Sequence, residues 1–203
     1  MSAPSSQTAS PFNLPNQLTA LRLLLSIVVF VLIPLKMFVP AIVVFVLAAS
    51  TDWIDGWYAR KYNQVTKLGR VFDPFVDKII ICGTYIFLAA EVIWDGWLPK
   101  TGIAPWMAVV VMGREMLVTA LRSMIEGEGG DFSAKMAGKL KMVFQCVAAV
   151  ASLIALKQLH EAPTAPLPAW LFWSLHGSVW LAIFTTIYSG LEYCFAAARY
   201  LKA

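Results

Sequence analysis

The sequence predicts an all-α integral membrane protein, with six transmembrane helices around a polar cavity open to the cytoplasm. Three observations predict it. First, the 203-residue chain is 59% hydrophobic and only 14% charged, whereas soluble domains carry about 25% charged residues. Second, six apolar runs follow one another at 23–35, 37–51, 79–90, 103–113, 142–156 and 167–191. Third, with the N-terminus inside, Arg22, Arg60, Lys61, Lys67, Arg70, Arg122, Lys135, Lys139, Lys141, Arg199 and Lys202 fall on the inner side, and only Lys36, Lys100 and Lys157 fall outside. Such an asymmetry sets membrane orientation.

Taken in order, residues 1–12 are polar, Ser-rich and free of Lys and Arg. They read as a disordered tail and lack the basic start of a cleavable signal. Residues 13–203 form one membrane domain, without internal repeats. Its runs are mostly too long for buried strands. All but the last fall short of the ~20 residues that cross a bilayer. Each shorter helix must therefore continue through charged residues at one end, and those side chains must face a protein-lined or water-filled cavity. On the outer side, Pro34 and Pro40, Asp95-Gly96 with Pro99, and Pro163, Pro166 and Pro168 supply turns. On the inner side, 127–131 (GEGGD) is a flexible loop.

The eight Trp residues suit interfacial belts. The net charge of +4 is met by positive-inside anchoring and anionic headgroups, with no call for nucleic acid. Cys82, Cys146 and Cys194 sit in apolar surroundings without CxxC spacing, and read as buried thiols rather than a disulfide or zinc framework. His160 falls outside, and His176 reads as a packing residue of the last span.

Four of the twelve acidic residues lie in one short stretch, 50–78 (STDWIDGWYARKYNQVTKLGRVFDPFVDK). Asp52 and Asp55 share a helical face at the end of the second span. Asp73 and Asp77 share one at the start of the third. The short connection brings the four carboxylates together at the cytoplasmic edge of the bilayer. Ionised together in a low dielectric they would repel strongly. Arg60 alone is too little compensation, and Lys78 points away from Asp77. One or two hard divalent cations meet the need, and an all-oxygen donor set favours Mg²⁺, Mn²⁺ or Ca²⁺ over zinc. Paired metals of this kind clamp the oxygens of a phosphoryl transfer. Gly56 and Gly69 leave room for a ligand's close approach. The plainer alternative makes these residues interfacial carboxylates and caps, with Asp73 as N-cap and Pro74 at the first helical position.

The pattern Asp52-x2-Asp55-Gly56-x2-Ala59-Arg60-x8-Gly69-x3-Asp73-x3-Asp77 resembles, without gap or substitution, the signature of the CDP-alcohol phosphotransferase family. The resemblance implies a six-helix membrane enzyme that moves a phosphatidyl group from a CDP-linked lipid to an alcohol and releases CMP. It implies two bound ions, Mg²⁺ or Mn²⁺. Asp52, Asp55 and Asp73 are then ligands of the first. Asp77 helps to hold the second and is the general base. Gly56, Ala59, Arg60 and Gly69 line the CDP site, with Arg60 on a phosphate. Asn16 and Arg22 are candidates for the same nucleotide site or for capping the first helix.

The stretches 13–22 (NLPNQLTALR), 113–122 (GREMLVTALR) and 137–145 (AGKLKMVFQ) resemble the family members whose acceptor is glycerol 3-phosphate. The likeness runs over about 13–200. It implies CDP-diacylglycerol and glycerol 3-phosphate as substrates, membrane lipids as surroundings, residence in the inner cell membrane with both termini and the active site cytoplasmic, and a homodimer. The residues agree in kind. Arg114 and Arg122 are eight apart, close to two turns, and share a face. Lys135 and Lys139 are four apart. These four are candidates for the acceptor's phosphate, with arginine supplying bidentate contacts and lysine point charge. For Arg114 the alternative is an internal salt bridge, for example with an Asp of the cluster. Glu115 points roughly 100° away from it, toward a neighbouring helix, and Lys141 reads as a positive-inside anchor. Two rivals remain. One is the same chemistry on inositol phosphate, serine or phosphatidylglycerol. The other, of another class, is a divalent-cation carrier.

Overall fold

The computed structural model describes residues 14–62, 67–95, 97–127 and 136–200; the side chains of 14–16, 52–62, 67–74, 98, 126, 136, 137 and 139 lie outside the described set. The expected N-terminal tail, the loop at 128–131 and Lys135 also lie outside it. Six helices follow one another: α1 Leu14–Leu32, α2 Phe38–Tyr62, α3 Lys67–Ala90, α4 Pro105–Gly127, α5 Met136–Glu161 and α6 Ala169–Tyr200. Between α3 and α4 lies a small hairpin, β1 Trp94–Asp95 and β2 Leu98–Pro99, with Trp94 opposite Pro99 and Asp95 opposite Leu98. The chain thus reverses between Asp95 and Leu98, next to the turn that the sequence predicts.

The connections explain where the helices stop. After α1 the chain closes a helix-ending motif in which Lys36 N–H bonds Ile33 C=O (2.9 Å) and Met37 N–H bonds Leu32 C=O (3.0 Å). Lys36 takes φ +59° there, a position that usually belongs to glycine. Before α4, Gly102 takes φ +81°, and an added Cβ would stand 2.6 Å from Leu175 Cδ1. This position needs glycine for both conformation and space. Pro105 then opens α4, where its missing N–H leaves no helical bond unmade.

One expectation fails here. Asp73-Pro74 reads as an N-cap and first helical residue, but α3 starts at Lys67 and Pro74 lies inside it. Aspartate before proline is a capping signal on propensity alone, and the helix overrides it. The two acidic pairs therefore sit on unbroken helical backbone, Asp52 and Asp55 in α2, Asp73 and Asp77 in α3.

Contacts fix the directions of the helices. Arg22 meets Asp77 and, further along, Phe30 meets Gly83, so α1 and α3 run parallel. Trp106 meets Trp180, Arg114 meets Ser189 and Arg122 meets Tyr193, so α4 and α6 run parallel. Gln145 meets Thr186 while Gly138 lies by Tyr193, so α5 runs against α6. Arg22 also meets Thr51, so α2 runs against α1. Tyr85 bonds the backbone of Gln145 where α3 passes α5, and Ser152 bonds Thr101 C=O, fixing the hairpin end to α5. The interior is apolar, around Val29, Ile33, Phe45, Tyr85, Leu88, Leu153 and Leu175.

Two helical segments, Leu140–Glu161 and Ala169–Tyr200, are long and apolar enough to cross a membrane, and the apolar parts of α1 and α2, Gln17–Leu32 and Phe38–Thr51, are shorter. Large apolar side chains stand exposed along outer faces, among them Leu21, Leu24, Val28 and Val31 on α1, and Leu181, Phe184, Tyr188 and Leu191 on α6. Water disfavours apolar stripes of this extent, and lipid does not. All three cysteines are free and half-buried, less enclosed than their apolar flanks suggest.

Candidate active site

Every described charged side chain of the candidate site lies in one half of the bundle. Arg22 is at the middle of α1, Thr51 just past the middle of α2, Asp77 near the middle of α3, Arg114 near the middle of α4 and Arg122 two turns further on, Lys141 in the second turn of α5, and Ser189 and Tyr193 in the later half of α6. Lys36, the hairpin and Lys157 mark the opposite end.

On the acidic side, Arg22 pairs through Nη1 with Asp77 Oδ1, and its Nε donates to Thr51 Oγ1 at 3.4 Å. Arg22 is 2% exposed, whereas the Asp77 side chain keeps 29% of its surface open. Thr51 precedes Asp52. One guanidinium thus joins the acidic end of α2 to the acidic face of α3. Ser26 Oγ donates to the Arg22 carbonyl at 2.8 Å, a turn further along α1. Neither role considered for Arg22 from sequence describes this. It is a buried countercharge of Asp77. The signal was an arginine in an apolar helix, which demands a partner, but a partner 55 residues away cannot be chosen without the packing. The side chains of Asn16, Asp52, Asp55, Arg60 and Asp73, with the positions of Gly56, Ala59 and Gly69, lie outside the described set.

On the basic side, Arg114 Nε donates to Ser189 Oγ at 3.2 Å, and its Nη1 donates to Glu115 Oε1 at 3.2 Å. Lys141 Nζ also bonds Glu115 Oε1. Arg114 and Arg122 lie over the ring of Tyr193, with guanidinium carbons 5.6 and 6.0 Å from its centroid. Arg122 Nη2 donates to the Tyr193 hydroxyl at 3.3 Å. The two arginines do share a face. Among the described residues, the internal salt bridge of Arg114 is made with Glu115. Glu115 reaches a neighbouring helix, as expected, and also bends back to Arg114. Lys141 is no surface anchor: it is 5% exposed, and its side chain reaches Glu115 on α4.

Lys78 links the two sides. It follows Asp77 on α3 and comes within electrostatic reach of Glu115, Asp77 and Arg122. Sequence reading passed it over. The side chain of Lys139 is outside the described set, but its neighbour Gly138 is not: a Cβ there would stand 4.0 Å from both Arg114 Nη2 and the Tyr193 hydroxyl. The first turn of α5 therefore lies against the arginine cluster. His176 is buried with its ring 4.5 Å from that of Phe172, and His160 packs edge-on to Phe38 at the far end.

Asp77, paired with Arg22, and Lys78, within electrostatic reach of Glu115 and Arg122, follow each other on α3, so the acidic and basic sides meet there. The model of the CDP-alcohol phosphatidyltransferase family matches residues 12–188. The chain belongs to this family. It is 35% identical over 199 residues to a CDP-diacylglycerol–glycerol-3-phosphate 3-phosphatidyltransferase of Bacillus subtilis, with 90% of this chain and 93% of that one covered. It is 34% identical to the protein of the same name from Pseudomonas fluorescens, over 94% of this chain and 92% of the other. With that of Escherichia coli K12 it shares 29% identity over 92% and 87%.

Proposed function

We propose that this chain transfers the phosphatidyl group of CDP-diacylglycerol to sn-glycerol 3-phosphate, giving phosphatidylglycerophosphate and CMP. The observation that carries the reading is the adjacency of the two sites across α3. Asp77 pairs with Arg22, and the next residue, Lys78, lies within electrostatic reach of Glu115, Asp77 and Arg122. The similarity to relatives named for this reaction supports the same acceptor.

The residues fit hard divalent ions. The donors are carboxylate oxygens, Asp77 keeps part of its surface open, and Arg22 draws the acidic ends of α2 and α3 together. Two ions, Mg²⁺ or Mn²⁺, held by Asp52, Asp55, Asp73 and Asp77, would supply positive charge to the diphosphate and to departing CMP. Gly56, Ala59, Arg60, Gly69 and Asn16 line the nucleotide site. Arg114, Arg122, Lys135 and Lys139 hold the acceptor phosphate, and Lys78 and Lys141 add charge around it. Asp77 takes the proton of the acceptor's 1-hydroxyl. That oxygen bonds to the β-phosphorus, the bond from this phosphorus to the CMP oxygen breaks, and CMP leaves with the electron pair.

In this reading the six helices span the inner cell membrane with both termini and the site cytoplasmic. The clustering of the site in one half of the bundle of alternating helices supports it. The lipid donor enters between helices from the inner leaflet, and the acceptor comes from the cytoplasm. Two chains associate as a homodimer. Purified protein with both substrates and Mg²⁺ should release CMP, and a chelator should stop it. Asp77→Asn should lose turnover by at least about 100-fold; full turnover in that variant would remove the base assignment.

A further inference from the structure

Tyr193 has no place in the sequence reading, yet both candidate arginines converge on it. It is 2% exposed, in the interior of the site half of the bundle. Arg114 and Arg122 are eight residues apart, about 12 Å along the α4 axis. Both guanidinium groups nevertheless come within 6.0 Å of the one ring. The side chains thus lean toward each other, which like charges resist. Ring and hydroxyl hold them there: the ring face attracts both cations, and the hydroxyl accepts from Arg122 Nη2. Ser189, one turn earlier on α6, fixes Arg114 through Nε.

Donors remain for a ligand. Arg122 Nε is buried with no hydrogen-bond partner among the described residues. Gly138, with no side chain of its own, lies beside Arg114 Nη2 and the Tyr193 hydroxyl. Two converged guanidinium groups with such a donor left over match a phosphate dianion, which accepts bidentate contacts from each. Glu115 balances Arg114 and Lys141 from the opposite side.

We infer that Tyr193 is a positioning residue for acceptor specificity: it holds Arg114 and Arg122 as a convergent pair that selects an alcohol carrying a phosphate monoester. This rests on the reading of the arginines as the acceptor site. Tyr193→Phe keeps the ring and loses the hydroxyl contact. Tyr193→Leu loses both.

The test measures KM for glycerol 3-phosphate, KM for CDP-diacylglycerol, and competitive inhibition by inorganic phosphate, on protein of unchanged thermal stability. Expected is a rise in the acceptor KM of about threefold in Tyr193→Phe and at least about thirtyfold in Tyr193→Leu. The phosphate inhibition constant should rise in proportion, with the donor KM within about twofold of wild type. Should Tyr193→Leu fail to fold, Tyr193→Phe with Gly138→Val, which fills the space beside the pair, decides in its place. An unchanged acceptor KM, or donor and acceptor KM rising together, overturns the positioning role. Wild-type protein that releases no CMP with glycerol 3-phosphate defeats instead the function on which it rests.

Discussion

Arg22 and Asp77 form a buried ion pair between α1 and α3, with the arginine enclosed and the carboxylate still partly open. The pair settles how an apolar first helix can carry an arginine, and it joins the acidic end of α2 to α3 through Thr51. The acidic site therefore has a protein countercharge of its own.

Arg22→Ala should cost at least about 100-fold in kcat, because it removes the enclosed cation paired with Asp77 and the tie to Thr51. Arg22→Lys keeps the charge but not the fork that reaches both partners, and should recover about a tenth of wild-type turnover. Steady-state CMP release on both variants checks this. Equal turnover in wild type and Arg22→Ala would contradict the pairing's role.

Glu115 is shared by Arg114 and Lys141, all three largely enclosed. Glu115→Gln leaves two buried cations without their carboxylate and should destabilise by about 3 kcal/mol, read as a fall of several degrees in the Tm of the detergent-solubilised protein. Adding Lys141→Met removes one of those cations and should restore much of the loss. A double variant less stable than Glu115→Gln would contradict the shared pairing.

Gly83 sets the spacing of α1 and α3. A Cβ there would stand 2.1 Å from Phe30 Cζ, and the Phe30 ring is itself stacked on Phe87 at 5.2 Å. Gly83→Ala should cost roughly 1–3 kcal/mol by overpacking and, by moving α1, lower turnover through Arg22 and Asp77. Thermal unfolding and CMP release on one preparation test both parts. Unchanged stability would mean that the ring swings clear.

Much of this was legible in the sequence. The spacing of the four aspartates is local, so the sequence put Asp52 and Asp55 on one helix and Asp73 and Asp77 on the next, where α2 and α3 have them. The eight-residue interval of Arg114 and Arg122 gave their common face for the same reason. What stayed hidden depends on contacts between distant helices. Nothing near Arg22 names Asp77, and nothing near Lys141 says that its turn faces Glu115. Tyr193 looks like one more aromatic of an apolar span until α4 is laid beside α6. Asp73-Pro74 misled because a capping preference is local, and α3 starts two turns earlier, at Lys67.

The central claim is the acceptor. The most direct measurement is CMP release by the purified, lipid-reconstituted protein with CDP-diacylglycerol, Mg²⁺ and one acceptor at a time: glycerol 3-phosphate, inositol phosphate, serine or phosphatidylglycerol. The expected result is CMP and phosphatidylglycerophosphate with glycerol 3-phosphate, and at least about 100-fold less with each of the others. Greater release with another acceptor, or none with any, would contradict it.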